Sequence, residues 1–272
     1  MKLTCLVAIA ALVTATGSFA SERNDIVSCY DQAQLSDARP AVSGRLLTVV
    51  VDQTLPLSDD LQRAAWGHIA RFVKPGDEVK LYSFSSLANG NYMRLHYSGK
   101  LDGLLTESAR NDINMTRLRR LDNCLKGQMG LFTQTFGREF VQTVKGASLD
   151  HPKTEIIFSL RAIAGDLQRS QTEERVVFIL SDMMENSDYT SLYGKNKKAA
   201  NELKIVEDRQ LFTDLGGARV YVLGVGYLPD QPGHYYPGEY IDRIKEFWSA
   251  YFENSNASLE GFGTPNLGMD LN

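Results

Sequence analysis

Two aspartates stand at the ends of apolar, β-branched runs. Asp52 follows Leu46-Leu-Thr-Val-Val-Val51, and Asp182 follows Arg175-Val-Val-Phe-Ile-Leu180 after a single serine. Unbroken runs of this kind fit strands buried on both faces of a parallel sheet. Binding sites in such sheets form beyond the carboxyl ends of the strands. If the two strands are neighbours, the carboxylates converge, and converging carboxylates repel unless something cationic lies between them. Thr54, two residues after Asp52, aims a hydroxyl at the same point. Thr154 begins the helical stretch that precedes the Asp182 strand, so its hydroxyl faces the same edge. Carboxylates with hydroxyls are hard oxygen donors. They suit Mg²⁺, which keeps several waters and needs few protein ligands. Asp52, Thr54, Thr154 and Asp182 thus point to one rim of the sheet.

The elements that must position them follow from periodicity. Ser58 can cap a helix whose first turn holds Asp59 and Asp60. Leu61, Ala65, His68, Ile69 and Phe72 form its stripe, and Lys74-Pro-Gly-Asp77 stops it. Residues 78–84 and 92–97 alternate as strands and predict an antiparallel pair at a sheet edge. Residues 115–145 are helical in period, with a glycine break expected near Gly127–Gly130. Further helices are expected over 153–167, 195–212 and 240–252, and a third buried strand over 218–223. From residue 253 onward the chain is rich in Asn, Ser and Gly and reads as a mobile tail. Strands alternating with helices predict an α/β class: a doubly wound, mostly parallel sheet with one antiparallel edge strand and helices on both faces.

These stretches resemble the von Willebrand factor A domains. That family carries a metal-ion-dependent adhesion site with the pattern Asp-x-Ser-x-Ser after the first strand, a Thr before a later helix, and an Asp after the fourth strand. The matching stretches are Val-Val-Val-Asp52-Gln-Thr54-Leu-Pro56, Lys-Thr154-Glu-Ile-Ile, and Phe-Ile-Leu-Ser-Asp182. The segment Ala218-Arg-Val-Tyr-Val-Leu-Gly-Val-Gly226 looks like the family's last strand, and the order of elements fits from about residue 44 to 253. Two positions depart from the pattern. Pro56 stands where the third hydroxyl ligand belongs, with Ser58 as a substitute from the next turn, and Met183 stands where the family has Gly. The resemblance implies that Asp52, Thr54, Thr154 and Asp182 are the metal ligands. It implies a binding module, not an enzyme, that captures a protein partner whose acidic side chain completes the Mg²⁺ coordination.

The rest of the chain bounds this expectation. Lys2, an apolar run from Leu6 to Val13 and a small-residue exit at Ser18-Phe-Ala20 read as a signal peptide over 1–20. The run is too short to span a bilayer, which takes ~20 residues, so no membrane span is expected after cleavage. Residues 21–43 read as an arm, 44–253 as the domain and 254–272 as the tail. The chain would be periplasmic or secreted. Beyond Cys5, only Cys29 and Cys124 remain; in an exported chain they read as a disulfide, the alternative being two buried thiols. Gly233-His-Tyr-Tyr-Pro-Gly238 follows the third parallel strand. Tyr235 and Tyr236 would then offer a partner contact beside the acidic rim, or else fold back onto the domain.

With 29 basic and 33 acidic residues, the net charge is −4. Nucleic acid is therefore not an expected partner, and Arg117-Leu-Arg-Arg120 reads as a solvated helix face. The four histidines have no metal-ligand spacing, and the chain has no nucleophile elbow and no phosphate-binding glycine loop. One catalytic alternative stands beside the binding module: a metal-dependent phosphohydrolase of haloacid-dehalogenase type with Asp52 as nucleophile. Thr54 stands where that family has its second Asp, which would be the acid–base.

Overall fold

The computed structural model describes residues 23–40, 44–86, 93–228, 230–231 and 234–272. The expected signal peptide lies outside the described residues. The Val- and Leu-rich run forms β1 (Arg45–Asp52), with every residue after Arg45 buried. β-Branched side chains pack well on a pleated surface covered on both faces. β2 (Glu78–Phe84) and β4 (Glu174–Leu180) flank it, both parallel to it. The six-stranded sheet has the order β3-β2-β1-β4-β5-β6. Its remaining members are β3 (Met93–Lys100) and β6 (Ala257–Gly263) at the edges and β5 (Ala218–Leu223) between β4 and β6. Only the β2–β3 pairing is antiparallel, as expected of the edge pair. Strand order reverses between β1 and β4, which opens the crevice where α/β sheets bind ligands.

Helices cover both faces. On one side lie α2 (Asp59–Phe72) and α4 (Met115–Lys145), burying Leu61, Ala65, Ile69, Phe132, Phe136 and Phe140. On the other lie α5 (Ile156–Arg169), α6 (Ala199–Asp208) and α7 (Gly238–Asn254), burying Ile157, Leu160, Val206, Phe247 and Trp248. The arm carries the short α1 (Cys29–Gln32), and α3 (Glu107–Asn111) precedes α4. Cys29 and Cys124 form a disulfide that ties α1 to α4 around buried Tyr30 and Leu121. No helix among the described residues is long and apolar enough to cross a membrane.

Two expectations fail here. The segment expected to be a flexible tail over 254–272 instead supplies β6, parallel to β5, and then buries Leu267 and Leu271. Without it the β5 edge would present unpaired backbone groups, a demand that composition does not register. The glycine break in α4 is also absent, and the helix runs unbroken for 31 residues. Its stripe of Leu118, Leu121, Phe132, Phe136 and Phe140 is buried from end to end. That burial outweighs the roughly 1 kcal/mol that each interior Gly costs.

Candidate functional site

β1 delivers Asp52 to the carboxyl rim, where it is fully buried. The chain turns at once, because Asp52 Oδ1 accepts from the Thr54 amide at 2.8 Å and from Thr54 Oγ1 at 2.7 Å. Asp52 Oδ2 accepts from Ser181 Oγ at 2.7 Å, which links the ends of β1 and β4. Thr54 Oγ1 lies 2.7 Å from Thr154 Oγ1. One line of hydrogen bonds therefore joins Ser181, Asp52, Thr54 and Thr154, residues up to 129 positions apart.

Two local devices hold this arrangement. Thr154 is clamped to the loop after β4: its amide donates to the Asn186 carbonyl at 3.1 Å and its carbonyl accepts the Asn186 amide at 2.8 Å. Glu185 in the same loop is fully buried and caps α5, accepting from the Ile156 amide at 2.8 Å and the Ile157 amide at 3.1 Å. Tyr189 donates to its other oxygen at 2.8 Å. Burial nevertheless pushes the Glu185 carboxyl up to about 7, against the pull of these donors.

Asp182 follows Ser181 and accepts from the Met184 amide at 2.9 Å. Met183 between them has φ +62°, a left-handed conformation uncommon for a bulky residue. Its side chain is buried and its carbonyl accepts from Trp248 Nε1 at 2.8 Å. That packing explains how Met occupies a position where the resembling family has Gly. Gly224 at the end of β5 has φ +111°, and a Cβ there would stand 3.0 Å from the Ser181 carbonyl oxygen. Only glycine lets β5 leave the sheet this close to the aspartates.

Thr54, Thr154 and Asp182 open together on a cleft of about 320 Å³ that His151, Lys153, Tyr193, Tyr227 and Tyr236 also line. Burial raises the Asp52 carboxyl above its usual range. Burial and then repulsion from Asp52 push Asp182 up to about 7. Burial and mutual repulsion thus both oppose ionising the pair together. A cation between them would relieve both effects. Among the described residues no three His, Cys, Asp or Glu side chains gather around a metal-sized space, so an ion here would depend on the threonine hydroxyls and water as well. The donors are oxygen only, which fits a small hard divalent cation.

Several neighbours escape sequence reasoning. Ser181 adjoins Asp182 in the chain, and that adjacency was the available signal. Tyr193 and Tyr227 line the cleft without any motif. Tyr236 lines it too, half-buried and stacked on Tyr240 at 5.8 Å. Tyr235 is 53% exposed and lies outside the cleft lining. Pro56 supplies no donor, and Ser58 is engaged as the α2 cap, accepting from the Leu61 amide at 3.4 Å. The position of the third hydroxyl ligand is therefore not refilled from the next turn.

No family model matches the chain, and no curated protein matches it. Among solved structures it is similar to proximal thread matrix protein 1 from the mussel byssus, at 10% identity and a TM-score of 0.35, covering 80% of this chain and 41% of that one. It is also similar to an aerotolerance-related membrane protein from Bacteroides fragilis, at 11% identity and 0.37, covering 81% and 93%. BatB, a conserved hypothetical protein from Bacteroides thetaiotaomicron, stands at 12% identity and 0.37, covering 79% and 89%. The chain thus spans less than half of the mussel protein. At identities and scores this low, none of these likenesses bears on the chemistry of the rim.

Proposed function

We propose that this chain is an exported protein-docking module of the von Willebrand factor A type, and not an enzyme. Asp52, Thr54, Thr154 and Asp182 would hold Mg²⁺. When bound, the ion would offer a coordination position to a carboxylate of the partner. The chain's own residues do the remaining work. Ser181 and Thr54 fix the Asp52 carboxylate, Glu185 fixes the start of α5 beside Thr154, and Tyr193 and Tyr236 wall the cleft. Tyr235 would pack against the partner outside the cleft.

The observation that supports this most is the hydrogen-bonded line through Asp52, Thr54 and Thr154, which opens with Asp182 on one cleft at the strand-order switch. Thr54, which stands where the phosphohydrolase pattern has its acid–base Asp, instead donates its hydroxyl to Asp52 Oδ1. This favours docking over phosphate-ester hydrolysis. The Cys29–Cys124 bridge fits an oxidising compartment and supports a periplasmic or secreted location.

Pull-down from an envelope extract tests the proposal. The immobilised chain should retain a partner in Mg²⁺, and lose it in chelator and in Asp182→Ala. A partner retained equally under all three conditions would contradict it.

A further inference from the structure

α4 is the longest element of the fold, and its exposed side carries charge opposite to the protein as a whole. It holds Arg117, Arg119, Arg120, Lys126, Arg138 and Lys145 against only Asp122 and Glu139, in a chain of net charge −4. Asp122 is tied to Arg110 of α3 at 2.7 Å, and Glu139 lies against Arg138 at 3.4 Å. All six basic residues are exposed. Three of them fall within the first two turns, and the first turn has no acidic residue. Arg117, in the first turn, opposes the helix dipole.

Apolar groups share the surface. Met115 is 62% exposed, Leu131 42% and Val141 44%. Beside Val141, a groove between α2 and α4 is lined by Trp66, Phe140, Asp59, Gln62, Arg63 and Lys145, with Arg63 paired to Asp60. At 1.5 Å per residue, α4 presents this mixture along roughly 45 Å.

We infer that the exposed face of α4, with the Trp66 groove, docks on the surface of an anionic phospholipid membrane. Basic side chains interspersed with apolar ones along a helix satisfy headgroup phosphates and the acyl boundary together. Exposed Met115, Leu131 and Val141 among the cations favour a lipid surface, whose acyl boundary takes apolar side chains, over an acidic protein. Most of this surface lies on a face of the sheet; its Lys145 end adjoins the rim, where Gln53 Nε2 donates to the Thr143 carbonyl at 3.1 Å, and the triple variant below leaves that end unchanged.

Vesicle sedimentation tests it, with phosphatidylglycerol mixed into phosphatidylcholine against phosphatidylcholine alone. The full chain should partition at least tenfold more strongly to the anionic vesicles. The triple variant Arg119→Glu, Arg120→Glu, Lys126→Glu should lose at least tenfold of that, with an unchanged circular dichroism spectrum. Both proteins carry the same apolar N-terminus, so the difference isolates α4. Brominated lipid should quench Trp66, and a Trp66→Phe variant should lose that quenching, because Trp248 is fully buried on the other side of the sheet. Equal partition of wild type and triple variant would overturn the inference. So would binding to soluble polyglutamate but not to vesicles, which would identify an acidic protein as the occupant.

Discussion

Glu185→Ala is expected to destabilise the protein by about 3 kcal/mol, because it strips two buried amides and a partly buried hydroxyl of their acceptor. The Ile156 and Ile157 amides at the start of α5 and the Tyr189 hydroxyl all donate to this one carboxyl. Such a loss is a large fraction of the stability of an ordinary domain. Glu185→Gln keeps an acceptor and the side-chain volume and should cost far less. The two variants also differ in their response to pH. Burial raises the folded-state carboxyl from 4.5 to about 7. The folded protein therefore binds this proton more tightly than the unfolded chain does. The resulting stabilisation is complete below about pH 4.5, the unfolded-state value, and is lost as pH rises toward 7. Urea unfolding at pH 5 and pH 8 should show a smaller loss on going to pH 8 in Glu185→Gln than in wild type. The raised Asp52 and Asp182 carboxyls act in the same direction but are common to both proteins. Identical pH dependence in the two would show that Glu185 does not titrate differently on folding.

Removing the disulfide by Cys29→Ser with Cys124→Ser is expected to cost ~4–5 kcal/mol, the chain-entropy value for a loop of this length. The bridge closes a separation of 95 residues, which includes β1, β2 and β3. It also seats the arm, where the Cys29 amide donates to Asp102 Oδ2 at 2.6 Å and the Tyr30 hydroxyl to the Gly103 carbonyl at 2.7 Å. Equilibrium unfolding in urea measures the change. A loss below about 1 kcal/mol would mean that the unfolded chain gains little freedom when the bridge is cut.

The parts of this molecule that were legible in its sequence are those where burial is complete. β1, β4 and β5 lie inside the sheet, so their residues form unbroken apolar runs, and the aspartates that end two of those runs mark the rim. Asp52, Thr54 and Thr154 do meet there, with Asp182 beside them. What the sequence obscured depends on contacts between distant positions. Glu185 looks like one acid in an irregular loop until α5, 28 and 29 residues earlier, is seen donating to it. β6 is hidden by its Ser and Gly content, because its place is determined by the open edge of β5. Gly127 and Gly130 signal a break in isolation, but the buried phenylalanines beyond them carry α4 through. The tyrosines of the cleft come from the loop after β4 and the loop after β5, and no spacing connects them.

The central claim is that the rim is a cation-dependent docking point. Titration calorimetry with MgCl₂ tests it most directly, using wild type, Asp52→Asn and Asp182→Asn at neutral pH. Saturable one-to-one binding by wild type, weakened at least tenfold in each variant, is the expected result. No heat with wild type, or equal affinity in all three proteins, would contradict it.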